Sequence, residues 1–247
     1  MLEKRAYCDV RFCEIGILGV PAISEMKTNP HMRIRTLAFN DFEGNSDENL
    51  AEILPFVAYA DDCGKLSLSD AMPRDILIKV TNLIDEDRFR ANCVFVELTM
   101  PRVCNASVTF LRRHIEKRVL KKVTLCSGWK DLDIHWIKEV FAQKQLTDFD
   151  LVQADNLCFY ENALMLLLST IDQDEDSRRY SFRYVLPNGV TCRRQFYVPH
   201  FMQKNGFRGP AGSQEMYCTT FYKGDTTIEA FFGAEVNDLH FNVNDRR

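Results

Sequence analysis

The chain has 247 residues, of which 46% are hydrophobic and 27% are charged, so it is long enough to bury a sizeable core and has the composition of a globular protein. The net charge of −4 provides no bulk attraction to nucleic acid or to an anionic membrane. The nine cysteines are odd in number, widely spaced and without a C-x-x-C pair, which argues against a disulfide scaffold and favours reduced thiols.

The first 31 residues are predicted to form a cap or to be the remnant of an upstream domain. The sequence AYCDVRFCEIGI alternates apolar and polar residues around Val10, Phe12 and Ile15, which predicts a half-buried strand. The chain begins with charged residues, where a signal peptide needs an apolar run. The longest apolar run, Ala163 to Leu168, is too short to span a bilayer. We therefore expect a cytoplasmic or nuclear protein with no membrane partner.

Residues 32–176 contain a repeated strand pattern. Five segments share the order apolar-x-x-apolar-x-apolar, namely IRTLAF, CGKLSL, FVELTM, LKKVTL and LTDFDL. Their middle anchors lie 29, 32, 25 and 26 residues apart and are Leu37, Leu66, Leu98, Val123 and Phe149. The last two anchors of each segment are two residues apart, which is the spacing of a strand with one buried face.

A helical period fills the intervals between these segments. After Pro73, the residues Ile76, Val80 and Ile84 recur at the spacing of an amphipathic helix. The other four helical stripes cover Leu50–Val57, Val108–Ile115, Ile134–Phe141 and Leu164–Ile171. The alternation predicts an α/β fold, a short leucine-rich-repeat-like strand–helix solenoid in which each unit covers the apolar face of its neighbour. The alternative is an ordinary βαβ domain with evenly spaced strands.

Residues 177–247 are predicted to form a C-terminal antiparallel β-hairpin unit. An Asn188-Gly189 turn separates two alternating runs, YSFRYV and TCRRQFYV, which is a strong hairpin signal. A second hairpin, MYCTTFYKGDTTIEAFFG, is predicted to turn at Gly224-Asp225. The final run, DLHFNVN, is predicted as an edge strand.

The sequence contains none of the common catalytic motifs. The P-loop, G-x-G-x-x-G, H-E-x-x-H and G-x-S-x-G patterns are absent, and the five histidines lack metal-ligand spacing. We therefore predict no catalytic, cofactor-binding or metal-binding residues and no cofactor. An α/β enzyme with a site assembled from separate loops stays open as an alternative, because Cys–His pairs form in space rather than in sequence.

Two basic stretches offer other partners. Arg193–Tyr197, followed by Lys204 and Arg208, combines cations with aromatic rings and could clamp single-stranded nucleic acid, although a hairpin with one charged face is the simpler interpretation. The densest positive run covers Arg112 to Lys122 and includes His114. It is predicted as a solvated helix face, and the alternative is a docking site for an acidic partner.

The polar positions beside the strand anchors form the candidate protein-binding face. In a solenoid they project from the side opposite the helices, where a polar, pocket-free surface suits a polypeptide better than a small molecule. The candidate residues are Thr36, Lys65, Ser67, Glu97, Thr99, Lys122, Thr124, Asp148 and Asp150. Across the strands these positions form two columns, an outer one just before the middle anchors and an inner one between the middle and last anchors. Ala38 belongs to the inner column.

Units such as LKKVTLCSGWKDLDIHWIKEVFAQKQLTDFDL, Leu120–Leu151, carry a strand, a Trp-containing turn and a helix. In this they resemble the substrate-side region of nematode F-box-associated, leucine-rich-repeat-like proteins. The Asn expected three residues after the last anchor of a leucine-rich repeat is missing, and Trp129 is expected to cover one such turn. The residues at that position are Phe42, Ala71, Val103, Gly128 and Ala154.

The resemblance implies that the repeats capture a protein target for a cullin-type ubiquitin ligase. In that family an N-terminal F-box binds the ligase adaptor. The first 30 residues here contain GVPAISEMKTNP but no Leu-Pro opening with a paired-helix pattern, so the chain is expected to be a truncated member or one that has lost its ligase connection. We accordingly predict a non-enzymatic protein–protein interaction module.

Overall fold

The computed structural model describes residues 6–13, 16–18, 32–39, 60–69, 72–85, 95–102, 104–126, 128–129, 134–152, 157–173, 179–185, 202–204, 206, 208, 218–223, 226–231 and 238–245. The chain forms two compact units, Met1–Lys121 and Lys122–Arg247. Both units combine helices with parallel strands, so the predicted α/β class is confirmed. The predicted division of the chain after residues 31 and 176 stays a prediction.

The first unit contains five described strands and two described helices. The strands are β1 (Ala6–Cys13), β2 (Gly16–Leu18), β3 (Met32–Phe39), β4 (Ala60–Leu68) and β5 (Phe95–Met100). The helices are α1 (Arg74–Asp85) and α2 (Asn105–Glu116). The strands follow the order β2-β1-β3-β4-β5. Within this order the β1–β2 pair is antiparallel, and the β1–β3, β3–β4 and β4–β5 pairs are parallel. The strand predicted in AYCDVRFC is therefore present, and it lies beside β3.

In the first unit the middle anchors lie in the register that the repeat pattern predicts, whereas the first anchors do not, because Ile34 pairs with Ala60 and Phe95 pairs with Gly64. Leu37 is the Cα partner of Leu66, and Leu66 is the partner of Leu98, so three middle anchors lie side by side. All three are buried, as are the helix residues Ile76 and Leu111. The anchors and the apolar stripes of α1 and α2, which contact each other, make one core on one side of the sheet.

The second unit contains six described strands and two described helices of eight or more residues. The strands are β6 (Lys122–Leu125), β7 (Asp148–Val152), β8 (Arg179–Val185), β9 (Cys218–Lys223), β10 (Thr226–Phe231) and β11 (Asp238–Asp245). The helices are α3 (Ile134–Phe141) and α4 (Leu157–Gln173), which contact each other. The strands follow the order β6-β7-β8-β11-β10-β9. The strands β6, β7 and β8 are parallel, and the remaining pairs are antiparallel.

The core of the second unit is built in the same way. Val123 is the Cα partner of Phe149, and Leu125 is the partner of Leu151, and all four side chains are buried. The ring of Phe141, on α3, meets the ring of Phe149 edge-on with centroids 4.7 Å apart. This contact shows that the helix packs on the anchor side of the sheet.

The first anchor of these two segments lies before the strand, not in it. Leu120 and Leu146 are buried, but β6 begins at Lys122 and β7 at Asp148. Residues three apart in a strand point to opposite faces, so the chain must turn between the first and middle anchors for both to be buried. The strands β6 and β7 are therefore shorter than the predicted strands LKKVTL and LTDFDL.

The C-terminal strands confirm one prediction and correct another. The pair β9–β10 joins Lys223 to Thr226 across Gly224-Asp225, as predicted for this hairpin. The run DLHFNVN is not an edge strand, because β11 lies between β8 and β10 and pairs with both. The antiparallel strands also continue the parallel sheet of this unit, since β8 pairs with β7 on its other side.

Three predictions lie outside the described residues. They are the helix Leu50–Val57, the Asn188-Gly189 turn and the basic-aromatic segment Arg193–Tyr197.

Candidate protein-binding face

The candidate face of the first unit consists of two polar columns that cross the strands. Thr36, Lys65 and Glu97 are successive Cα partners on β3, β4 and β5 and form the outer column. The inner column consists of Ala38, Ser67 and Thr99 in the same register. Ala38 is buried, whereas the other five residues are half-buried. The period of two that buries the anchors places these residues on the opposite side of the sheet.

The charges of the outer column are only loosely paired. Lys65 Nζ lies 3.9 Å from Glu97 Oε2, and the two side chains are 43% and 44% exposed. An ion pair this long and this exposed contributes less than about 1 kcal/mol to stability. Among the described residues, the hydroxyls of Thr36, Ser67 and Thr99 have no hydrogen-bond partner.

The candidate face of the second unit repeats the two columns on β6 and β7. Lys122 is the Cα partner of Asp148, and Thr124 is the partner of Asp150. Register carries both columns on to β8, where Ser181 is the partner of Asp148 and Arg183 is the partner of Asp150. These two β8 positions are absent from the sequence-based set. The alternation of Tyr180, Phe182 and Tyr184 was the signal that could have found them, because it assigns the intervening residues to the other face.

The polar groups of this second face satisfy each other. Asp150 Oδ2 accepts a hydrogen bond of 3.3 Å from the Thr124 hydroxyl and lies 3.6 Å from Lys122 Nζ. The Asp150 side chain is only 16% exposed, compared with 40% for Lys122. Asp148 accepts a hydrogen bond of 2.8 Å from the Thr147 hydroxyl. Lys122 thus pairs diagonally with Asp150 rather than with its register partner Asp148.

His114 is not part of the exposed positive run in which the sequence had placed it. Its side chain is fully buried, with ring centroids 4.4 Å from Phe110 and 5.8 Å from Phe95. Nδ1 lies 3.1 Å from the backbone carbonyl of Phe110, and Nε2 has no hydrogen-bond partner among the described residues. Burial, together with the positive charge of Lys117, lowers the pKa of His114 from 6.5 to about 4, although the bond to the Phe110 carbonyl acts in the opposite direction. The ring is therefore neutral at pH 7.

The prediction of one solvated helix face is correct only for the start of that run, because α2 ends at Glu116 and Lys122 begins β6. On α2, Arg112 is exposed, and its Nε lies 3.1 Å from Glu116 Oε1 in an i, i+4 pair. This arrangement is that of an ordinary solvated helix face. The correction at His114 follows from the helical period, because position 114 lies one turn after Phe110 on the buried stripe.

The turn after β6 contains Gly128 and Trp129, and the expectation that Trp129 covers this turn stays a prediction. Gly128 has a φ of 85°, a conformation that suits glycine because it has no Cβ. Trp129, next in the chain, is 3% exposed and is therefore a core residue. His135 is exposed on α3, where its ring lies 4.2 Å from that of Trp136.

The described residues contain no cluster of three or more His, Cys, Asp or Glu side chains that could hold a metal ion. Within the described part of the chain, no helix has the length and hydropathy of a membrane span. The cysteines with described side chains are Cys104, which is buried, and Cys126, which is half-buried, and neither forms a disulfide with a described residue.

Comparisons of this chain with protein-family models, with curated proteins and with solved structures found no match.

Proposed function

We propose that the chain is a non-enzymatic protein–protein interaction module that binds its target through the polar side of a strand–helix repeat. One observation carries the proposal. In each unit the anchors are buried, and the alternate positions form half-buried polar columns in register across neighbouring strands. Side chains ordered by a sheet are pre-organised for binding, which lowers the entropy that association costs.

Three features support a solenoid as the underlying architecture. The middle anchors pair in the order that the repeat spacing predicts within each unit. The helices α2 and α3 contact strand anchors through Phe95–His114 and Phe141–Phe149. Most parallel sheets are covered by helices on both faces, whereas the columns here remain partly exposed, as stacked strand–helix repeats require.

The target class that the resemblance adds is a substrate of a cullin-type ubiquitin ligase. In this more specific version of the proposal, the polar columns hold the target and the adaptor is reached through an F-box in the same or an associated chain. The support is the strand, Trp-containing turn and helix of Leu120–Leu151, in which Trp129 is buried.

Photo-crosslinking at single positions tests the interaction module. Benzoylphenylalanine replaces Thr99 on the first face or Thr124 on the second, and the full chain is irradiated in a lysate of its source cells. Matched control positions are the exposed helix residue Asn82 for the first unit and the exposed Ala142, just after α3, for the second. We expect a discrete crosslinked protein from at least one face position and none from the controls. Crosslinks from neither face would overturn the proposal.

Mass spectrometry of the same purified material tests the ligase version. We expect the adaptor of the cullin ligase to co-purify with the full chain. If a face crosslinks to a partner but the adaptor is absent, the ubiquitin part of the proposal falls and the interaction module stands.

A further inference from the structure

We infer that the first unit binds a helical segment of its partner, and that this helix lies across β4 and β5 with an acidic residue against Lys65 and a basic residue three or four positions away against Glu97. The inference rests on the proposed function and specifies both the unit that binds and the chemistry of the occupant. Its basis is the spacing, charge and hydrogen-bonding state of the two columns.

The spacing favours a helix over an extended chain. Lys65 and Glu97 are Cα partners on adjacent strands, so their backbones are about 4.8 Å apart. A helix that crosses the strands presents side chains about 4.5 to 6 Å apart along its axis, at i+3 and i+4. In an extended segment, residues on the same side are about 6.7 Å apart. This spacing exceeds the distance between strands, so such residues no longer lie opposite the columns after two strands.

The charges of the outer column are available to such a helix. The Lys65–Glu97 separation of 3.9 Å and exposures of 43% and 44% mean that neither group is committed to the other. A carboxylate on the partner can approach Lys65 while a cation approaches Glu97, and each new pair is then more shielded from water than the present one. Electrostatic complementarity of this kind specifies the orientation in which a partner binds.

The inner column leaves room for the body of the helix. Ala38, Ser67 and Thr99 are short, and they run beside the longer Lys65 and Glu97 side chains. The Ser67 and Thr99 hydroxyls are half-exposed and make no hydrogen bond to any described residue, so each can exchange water for a polar group of the partner.

The corresponding residues of the second unit are already engaged. Asp150 holds both Lys122 and the Thr124 hydroxyl, and Asp148 holds the Thr147 hydroxyl. A partner would have to break these bonds before making its own, and a half-buried carboxylate left without its donors is costly. This difference assigns the helix to the first unit.

Selection from displayed libraries against the full chain tests the inference. The probe is a library on a three-helix-bundle scaffold with one randomised helix face, and a linear 12-residue library is selected in parallel. The targets are the wild-type chain and the charge-swapped variant K65E/E97K. The control is the swap R112E/E116R on α2, which reverses an exposed pair of the same unit away from the sheet.

We expect wild type to enrich helical clones with an acidic and a basic residue three or four positions apart, and K65E/E97K to enrich the reversed order. Wild-type clones should bind K65E/E97K at least about tenfold more weakly, equivalent to one decade of Kd, and should bind R112E/E116R unchanged. The inference is overturned if no clones are enriched, if K65E/E97K retains their binding, or if only linear peptides are enriched.

The two proposals fail separately. A crosslink at Thr99 or Thr124 in the lysate, combined with enriched clones that ignore the charge swap, removes the helix and retains the interaction module. A crosslink at Thr124 alone likewise moves the binding face to the second unit. If neither face crosslinks to a lysate protein, the interaction module falls whatever the libraries select.

Discussion

The polar columns of the two units follow one sequence pattern and differ in how their polar groups are satisfied. In the first unit, Lys65 and Glu97 form a loose exposed pair, and the neighbouring hydroxyls have no hydrogen-bond partner among the described residues. In the second unit, Asp150 is largely buried and collects a lysine and a threonine. The comparison shows that alternation determines on which side of the sheet a residue lies. The residue types on adjacent strands then determine whether the polar groups of that side bond to each other.

The largest effects are expected from the buried anchors, because they hold the polar columns of each unit in register. Phe149→Ala should destabilise the second unit by about 3 to 5 kcal/mol, because it empties a fully buried site and removes the edge-on contact with Phe141. Urea unfolding followed by tryptophan fluorescence measures this, since both tryptophans, Trp129 and Trp136, lie in that unit.

The matched change in the first unit is Leu98→Ala, with an expected cost of about 2 to 5 kcal/mol by far-UV circular dichroism. A loss below about 1 kcal/mol for either variant would contradict the assignment of that anchor to the core.

Acid should affect the first unit through His114. The pKa of this group is about 4 in the folded chain and 6.5 as the unperturbed reference, so between these values the unfolded state binds the proton more tightly. The free energy of unfolding is therefore unaffected by this group above pH 6.5. It decreases as the pH falls towards 4, by roughly 3 kcal/mol in total.

The variant that isolates this term is His114→Phe. At pH 7 the variant should be less stable than wild type by about 0.5 to 1.5 kcal/mol, because it loses the hydrogen bond between Nδ1 and the Phe110 carbonyl. In circular-dichroism urea titrations its stability relative to wild type should rise at pH 5.5 and again at pH 4.5, because only wild type must protonate or keep neutral a buried histidine in this range. Parallel pH profiles for the two proteins would show that His114 does not titrate in this window.

The contribution of the bonds within the second set of columns to stability is tested by substituting Asp150. Asp150→Ala leaves Lys122 and the Thr124 hydroxyl without their common partner and should cost about 1 to 2 kcal/mol by fluorescence-detected unfolding. Asp148→Ala is the control, since its bond to the exposed Thr147 hydroxyl is worth about 0.5 kcal/mol or less. Equal losses for the two variants would remove the distinction between them.

The smallest effect on stability is expected in the first set of columns. Lys65→Ala should change the free energy of unfolding by less than about 0.5 kcal/mol, because the exposed pair with Glu97 contributes little. The same variant should reduce the affinity of the selected helical clones, which separates a binding role from a structural one. A stability loss above about 1 kcal/mol would mean that this pair is committed after all.

Much of the fold is predictable because burial follows local periodicity. The helix after Pro73, the helix containing Leu111 and the hairpin at Gly224-Asp225 all lie where the pattern places them. The inner position of β11 was missed for a physical reason. A strand with polar residues on one side reads as an edge strand, and only long-range pairing shows that its backbone is bonded on both sides.

The candidate columns were predictable as a set and unpredictable in their interactions. Period two and the repeat spacing were enough to align Lys65 with Glu97 and Thr124 with Asp150. Neither rule could indicate that Lys122 would pair diagonally with Asp150, since that choice depends on side-chain reach and on the competing hydroxyl of Thr147.

The sequence by itself determined that the recurring apolar residues are buried, because apolar groups repeated every two or every three to four positions can leave water only as strands and helices of known phase. The tertiary structure alone decided the partners of those residues. It enclosed His114 between two phenylalanines and committed Asp150 while leaving Lys65 available, because hydrogen bonds and ion pairs act over a few ångströms between residues that are distant in the chain.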